Sequence, residues 1–256
     1  MTVKEIKKIL GDKLLSKARG QNLLLDENIA RKFTKLISRA YGKKVLEIGP
    51  GLGIITRHLK NSGFDLVAIE IDHDFYNYLK DLGVNVIHGD FLEIESELSF
   101  PKVVIGALPF SVSLPILQKI KDNRNKIKEW IFILQREVAM RFTSKPGSKS
   151  YSSLSILFNI LYDIKYEFEI KPEAFFPKPE VISTVIKGVL KENPIIEVDE
   201  SFEVFLKDIF RFKRKTLKNN LFDYDTDHVS IDLKRRAETL EINEAVQLYR
   251  ECKPTG

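Results

Sequence analysis

Apolar and polar positions change their rhythm twice along this chain. Between residues 42 and 135, short and nearly unbroken apolar runs alternate with stretches whose apolar positions recur at helical spacing. Lys44–Ile48, Leu66–Ile71, Val84–His88, Lys102–Gly106 and Trp130–Leu134 read as strands. Leu52–Asn61, His73–Leu82 and Ser113–Asn123 read as the helices between them. Strands this apolar, alternating with helices, imply a parallel sheet covered on both faces by right-handed crossovers. The rhythm then shifts. Ser152–Leu161 reads as a helix. Tyr162–Ile170 and Val181–Leu190 follow as two β-rich runs around a Pro-punctuated loop, Lys171–Glu180, which suits an antiparallel edge on the sheet. Asn193-Pro194 marks a break, and Ser201–Phe212 and Ile242–Glu251 return to helical spacing. The expected fold is α/β, with residues 1–192 in a doubly wound first domain and 193–256 in a small all-helical second domain.

Composition supports that size. The 256 residues are 43% hydrophobic, enough for one large core and an appendage. A net charge of +5 says little by itself. Its placement says more. Lys207–Asn220 carries Lys207, Arg211, Lys213, Arg214, Lys215 and Lys218 against the single acid Asp208, and the first twenty residues are also basic. Such clusters suit phosphate contact with release of counterions, or they are simply solvated faces. Cys252 is the one cysteine, so no disulfide framework or Cys-rich zinc site can form. His58, His73, His88 and His228 have no metal-ligand spacing, and no metal is expected. The Met1 region lacks an apolar signal core, and no apolar run has the length of a membrane span. No membrane association is expected, and a cytoplasmic location is.

The sharpest local signal is Val45-Leu46-Glu47-Ile48-Gly49-Pro50-Gly51-Leu52-Gly53, a buried strand entering glycines and then a helix. The glycines allow a sharp turn and close approach of backbone to a ligand. Their spacing is E-x-G-x-G-x-G. The dinucleotide fingerprint G-x-G-x-x-G, built for a pyrophosphate, is absent. The arrangement resembles that of class I methyltransferases, which places Glu47 near a cationic cofactor. An ordinary tight turn would also explain the segment in isolation. Glu70 ends the next strand, in Val67-Ala68-Ile69-Glu70-Ile71-Asp72, where an acid can hold both hydroxyls of a ribose. Asp90 follows the third strand, in His88-Gly89-Asp90-Phe91, where a carboxylate can accept from an adenine amino group. Either acid alone could be a helix cap, and Asp72 suits that role better than Glu70.

Five further segments carry a more specific resemblance. These are Arg19-Gly20-Gln21-Asn22-Leu23-Leu24, Gln135-Arg136-Glu137-Val138-Ala139-Met140-Arg141, Lys145-Pro146-Gly147-Ser148-Lys149-Ser150-Tyr151, Phe175-Phe176-Pro177-Lys178-Pro179-Glu180-Val181-Ile182-Ser183 and Phe210 to Leu221. In this order they resemble the KsgA family of small-subunit rRNA adenine dimethyltransferases, whose relatives include the Erm enzymes. The resemblance covers nearly the whole chain. It implies a class I, Rossmann-like methyltransferase sheet that uses S-adenosyl-L-methionine. It implies cofactor contacts from Gln21, Asn22, Leu24, Glu47, Gly49, Gly51, Glu70, Ile71, Asp90, Phe91 and Ala107. It also implies RNA contacts from Arg136, Arg141, Lys149, Phe176, Arg211, Lys213, Arg214, Lys215 and Lys218. The Phe210–Leu221 segment is expected to be a basic helix whose aromatic and cationic side chains suit stacking and phosphate contact.

The transfer site falls on Ala107, Leu108, Pro109 and Phe110. The family has Asn-Leu-Pro followed by Tyr or Phe here. Adenine N6 is a poor nucleophile because its lone pair is delocalised into the ring. An amide oxygen and a backbone carbonyl orient it while an aromatic ring stacks on the base. This chain keeps Leu108, Pro109 and Phe110 but has Ala107 in place of Asn. Ser111 or Ser113 is the available substitute acceptor. The implied reaction is N6-methylation of two adjacent adenosines in the 3′-terminal hairpin of small-subunit rRNA, by a monomer acting on a pre-ribosomal particle. Two alternatives stay open: a feeble or non-catalytic RNA-binding assembly factor, for which Ala107 speaks, and an Erm-type enzyme acting on large-subunit rRNA.

Overall fold

The computed structural model describes residues 22–94 and 101–254. A short strand β1 (Leu23–Leu24) leads into helix α1 (Glu27–Thr34), whose first N–H groups are capped by the Asp26 carboxylate. The doubly wound part then runs β2 (Lys44–Ile48), α2 (Ile54–Asn61), β3 (Asp65–Glu70), α3 (His73–Asp81), β4 (Val86–His88), β5 (Val103–Ala107), α4 (Ser113–Asp122) and β6 (Glu129–Gln135). After α5 (Arg136–Thr143) and α6 (Ser153–Leu161) the chain returns as β7 (Tyr162–Ile170), β8 (Phe175–Phe176) and β9 (Ser183–Leu190). The tail holds α7 (Glu200–Ile209), α8 (Leu217–Asn220), β10 (Tyr224–Asp225), α9 (Ile242–Glu251) and β11 (Lys253–Pro254).

Seven strands form one sheet in the order β4-β3-β2-β5-β6-β9-β7. The pairs from β4 through β6 are parallel, and β9 joins β6 antiparallel. From β2 the strand order runs outward in both directions, so the carboxyl ends of β2 and β5 flank a crevice of the kind that binds ligands in such sheets. The sheet is tightly filled. Trp130 and Phe132 are fully buried, and Trp130 lies opposite Gly188 in the β6–β9 register. A Cβ on Gly188 would overlap the Trp130 ring, which explains a glycine inside a strand. Glu129 is also fully buried. Its carboxylate accepts from the Ser38 N–H at 2.9 Å and pairs with the Lys187 ammonium at 3.2 Å, which itself donates to the Leu36 carbonyl. The stretch after α1 is thereby pinned to the sheet.

Two expected elements differ. The strand expected from Val84 begins at Val86, because Gly83 adopts φ 65° and the N–H groups of Gly83 and Val84 close back on Lys80 and Leu79. The helix expected to run through Phe212 stops at Ile209, and the segment from Phe210 to Thr216 is a series of turns. The expectation of a basic helix over Phe210–Leu221 is corrected accordingly. Only Leu217–Asn220 is helical there. The buried Asn220 side chain donates to the Ile209 carbonyl and accepts from the Phe212 N–H, offering this backbone an alternative to helix.

The chain divides into two compact units. One is built on the stretches up to Arg136 and from Lys165 to Leu190; the other is built on Glu137–Ile164 and the tail from Lys191. The second unit thus gathers Glu137–Ile164, a stretch that the sequence pattern assigns to the first domain. Its links to the tail are specific. The Tyr151 hydroxyl donates to the Leu240 carbonyl at 2.9 Å, and the Gly147 N–H donates to Glu238.

Candidate active site

Strand β2 runs into a loop in which Gly49, Gly51 and Gly53 have φ of 64°, 56° and 72°. A side chain at Gly51 would come within 2.8 Å of Leu23, and one at Gly53 within 2.9 Å of Leu79. Glycine is required there both for the left-handed turn and for close packing. The Gly49 N–H donates to the Ile69 carbonyl at 2.9 Å, which ties the loop to the neighbouring strand.

Glu70 closes β3 and is 4% exposed. One of its oxygens accepts from the Gly51 N–H at 3.0 Å and the other from the Asp72 N–H at 2.9 Å. Burial pushes its pKa above the usual carboxylate value, and the backbone N–H bonds oppose that push. Asp72 takes the capping role, accepting from the Asp74 and Phe75 N–H groups of α3. Glu47 lies deeper and is 2% exposed. Burial raises its pKa to about 7; the Thr56 hydroxyl, donating at 2.6 Å, opposes the rise and the Glu70 charge adds to it. Asp90 follows β4, and its Oδ1 accepts from the Leu92 N–H at 2.8 Å.

These strand ends enclose a cavity of about 330 Å³. Of the residues singled out in the sequence, Asn22, Gly49, Gly51, Glu70, Ile71, Asp90, Phe91, Ala107, Leu108, Pro109 and Phe110 line it. Leu24 and Glu47 do not. Leu24 packs into the core beside Phe33 and Phe175, and its neighbour Leu23 lines the cavity instead. The Glu47 carboxylate is engaged by Thr56 behind the glycine loop. Gln21 lies outside the described residues. The cavity also takes in residues that sequence reasoning passed over, among them Phe75, Ile116, Ile133, Phe175 and Ser183. Phe175 and Ser183 bracket the quoted Pro-rich segment. Strand β8 brings that segment in by pairing with β1, Leu23 opposite Phe176 and Leu24 opposite Phe175.

At the end of β5, the half-buried Phe110 and the buried Leu108 share this wall with Ala107. The Leu108 N–H is fixed by the Ile133 carbonyl at 3.1 Å. Of the two serines considered as substitute acceptors, Ser113 is buried and donates to the Phe110 carbonyl at 3.1 Å. Ser111 lines the cavity.

The residues expected to touch RNA fall into separate groups. Phe176 is half-buried against the Leu23, Leu52 and Phe75 cluster. The exposed Arg136 pairs with Glu169 at 3.0 Å. Arg141 and Lys149 are exposed on the second unit. Arg211 is held by Asp208 at 2.5 Å and Asp223 at 3.4 Å, and these bonds strengthen its hold on its proton. Lys213, Arg214, Lys215 and Lys218 are exposed. Beside them stand two exposed rings, Phe212 and Phe222, the latter with the Arg211 guanidinium 5.1 Å from its centroid. Among the described residues no helix is long and apolar enough to cross a membrane, and no His, Cys, Asp and Glu group could hold a metal ion.

Comparison with known proteins places this geometry. The model of the family described as ribosomal RNA adenine dimethylase matches residues 13–253. The ribosomal RNA small subunit methyltransferase A of Chlorobaculum parvum is 37% identical over 245 residues, covering 93% of this chain and 89% of that protein. The protein of the same name from Thermotoga maritima is 35% identical over 244 residues, covering 93% and 86%. Among solved structures, a dimethyladenosine transferase from Plasmodium falciparum matches with a TM-score of 0.77 at 21% identity, covering 88% of this chain and 95% of that one. The 23S rRNA methyltransferase ErmE matches with a TM-score of 0.73 at 21% identity, covering 90% and 99%. The two structural matches establish the methyltransferase fold, and the sequence matches decide the kinship: the chain belongs to the ribosomal RNA adenine dimethylase family.

Proposed function

We propose that this protein methylates N6 of two adjacent adenosines in the 3′-terminal hairpin of small-subunit rRNA, using S-adenosyl-L-methionine. It acts as a cytoplasmic monomer on a pre-ribosomal particle. One observation carries the reading. A single cavity has the Glu70 and Asp90 carboxylates at one set of strand ends and Leu108-Pro109-Phe110 at another. The donor set fits an adenosine-containing cation. Glu70 is a buried carboxylate already anchored on both oxygens, with lone pairs left for ribose hydroxyls. Asp90 shares its wall with the apolar Ile71 and Phe91, as a site for an adenine edge requires. Glu47 holds Thr56 and so steadies the start of α2 behind the loop.

When bound, S-adenosyl-L-methionine supplies an electrophilic methyl group on a positively charged sulfur. The rest falls to this chain. The Phe110 ring stacks on the extruded base, and the Leu108 carbonyl accepts one N6–H, which directs the lone pair toward the methyl. Transfer would break the sulfur–methyl bond as the C–N bond forms, leaving S-adenosyl-L-homocysteine, and the N6 proton would then pass to water, so no strong general base is needed. The first unit carries this chemistry, and the second supplies the basic turn Lys213–Lys215 for phosphates.

Ala107 supports a second reading, a weakly active or non-catalytic assembly factor that retains the cofactor cavity. Incubation with labelled cofactor and either undermethylated small subunits or free rRNA, followed by mapping of the product, decides between them. Label in two adjacent adenosines of the small-subunit hairpin is expected. Binding of cofactor and RNA without any transfer would leave the assembly-factor reading.

A further inference from the structure

Asp90 and Phe91 form part of the cavity wall and stand on a hydrogen-bonded turn. The N–H groups of Glu93 and Ile94 close on the Asp90 carbonyl at 3.0 and 3.1 Å. At its amino end, the Asp90 carboxylate accepts from Leu92. At its carboxyl end the turn presents the carbonyls of Phe91, Leu92 and Ile94. Those carbonyls meet a lysine from another helix. The Lys119 ammonium, in the last turn of α4, donates to Phe91 at 2.8 Å, Leu92 at 2.9 Å and Ile94 at 2.5 Å. All three ammonium donors are thereby used. The same ammonium stands 5.3 Å from the centroid of the Phe91 ring.

We infer that Lys119 is a positioning residue that clamps the Asp90–Ile94 turn and sets the adenine end of the cavity. The inference rests on the reading of this cavity as the S-adenosyl-L-methionine site. The Asp90 carboxylate accepts from an N–H at one end of the turn, and the Lys119 ammonium donates to its carbonyls at the other. Burial pulls the Lys119 pKa below its ordinary value, and the Asp90 charge opposes that pull. Helix α4 also supplies Ile116 to the cavity wall one turn earlier. One rigid element therefore fixes both an apolar contact and the loop that presents Asp90. Lys119 itself does not line the cavity among the residues that do. Its influence on a ligand passes through the turn.

The test is steady-state methyl transfer and calorimetric binding of S-adenosyl-L-methionine by the full chain and its variants. Lys119→Met keeps the aliphatic stem and removes the clamp. It is expected to raise both Kd and KM for the cofactor by about tenfold or more, as loss of charge-assisted hydrogen bonds implies. The kcat at saturating cofactor is expected to stay within about twofold. Lys119→Arg, which retains the charge, is expected to recover at least half of the loss on a logarithmic scale. Free adenosine should lose affinity in parallel with the whole cofactor. Should Lys119→Met fail to fold, Lys119→Gln replaces it with the same expectations. Native Kd and KM in the variant would overturn the clamp. So would a fall in kcat that tracks melting temperature, with KM unchanged. If the native protein itself binds no S-adenosyl-L-methionine, the cofactor reading falls first and the clamp with it.

Discussion

Asn220 holds Phe212 in place. Its side-chain oxygen accepts the Phe212 N–H at 3.0 Å, while its nitrogen donates to the carbonyls of Ile209 at 2.9 Å and Phe212 at 3.4 Å. Asn220 is 2% exposed, so water competes weakly for these bonds. They fix the basic turn between α7 and α8. Asn220→Ala is expected to lower unfolding free energy by about 1–3 kcal/mol, the cost of leaving buried backbone groups without a partner. It should also weaken RNA binding, because Lys213, Arg214 and Lys215 then lose their common platform. Denaturant titration and filter binding measure the two effects. Full RNA affinity in a destabilised variant would show that the turn needs no preset shape.

The cations of that turn are not equivalent. Arg211 is committed to Asp208 and Asp223, whereas Lys213, Arg214 and Lys215 stand exposed. Replacing the last three by Gln is expected to reduce the slope of log affinity against log salt by about 2–3 units. Arg211→Gln should leave the slope nearly unchanged while exposing Asp208. A native slope in the triple variant would make the turn an ordinary solvated surface.

Glu70→Ala is expected to weaken S-adenosyl-L-methionine binding by about tenfold or more, since it removes an anchored carboxylate and frees the Gly51 N–H. Calorimetry reads the change. Equal affinity in the variant would remove Glu70 from the cofactor site.

Ala107→Asn is expected to speed transfer by about one to two decades in single-turnover experiments, a gain of one acceptor worth roughly 1–3 kcal/mol. Cofactor affinity should barely change. Phe110→Ala should slow transfer, because base stacking is worth about 1–3 kcal/mol. If neither the native protein nor Ala107→Asn transfers methyl to any ribosomal substrate, the enzyme reading fails.

Glu47 gives the stability a pH dependence of known sign. Its folded pKa, about 7, lies above the ordinary 4.5. Between those values the folded state keeps a proton that the unfolded chain has released, so stability falls as pH rises and levels off above about 7. Glu70, pushed the same way by burial, adds to the slope. Glu47→Gln cannot ionise and should remove its share, on the order of 3 kcal/mol between about pH 5 and about pH 8. An unchanged difference in melting temperature between the two conditions would show that Glu47 stays ionised.

The strands were readable because unbroken apolar runs such as Val45–Ile48 and Trp130–Leu134 have few other places to go in a covered parallel sheet. That Glu70 and Asp90 would share one cavity was readable because both follow strand ends that flank the crevice of such a sheet. What escaped depends on partners distant in sequence. The Phe210–Leu221 segment has the composition of a helix, and only the buried Asn220 shows why it turns. Phe175 reaches the cavity through a two-residue ladder with β1, and no local pattern announces such a short pairing. Leu23 and Leu24 are adjacent leucines, and only their register with β8 decides which one lines the cavity. Lys119 looks like any lysine on an amphipathic helix until the carbonyls it meets are known.

The sheet's order of assembly is also at odds with the order in which the ribosome makes the chain. Strand β6, with the run Trp130-Ile131-Phe132-Ile133-Leu134, is flanked by β5 and β9. Its β9 partner is not synthesised until residues 183–190, after the whole of α5 and α6. A nascent chain of intermediate length therefore presents a long apolar strand with an open edge, the kind of surface that recruits other chains. Truncations ending between α6 and β9 should aggregate even though they contain the glycine loop, Glu70, Asp90 and the Leu-Pro-Phe turn. The sheet cannot close until residues 183–190 have been made and β9 can cover the edge of β6.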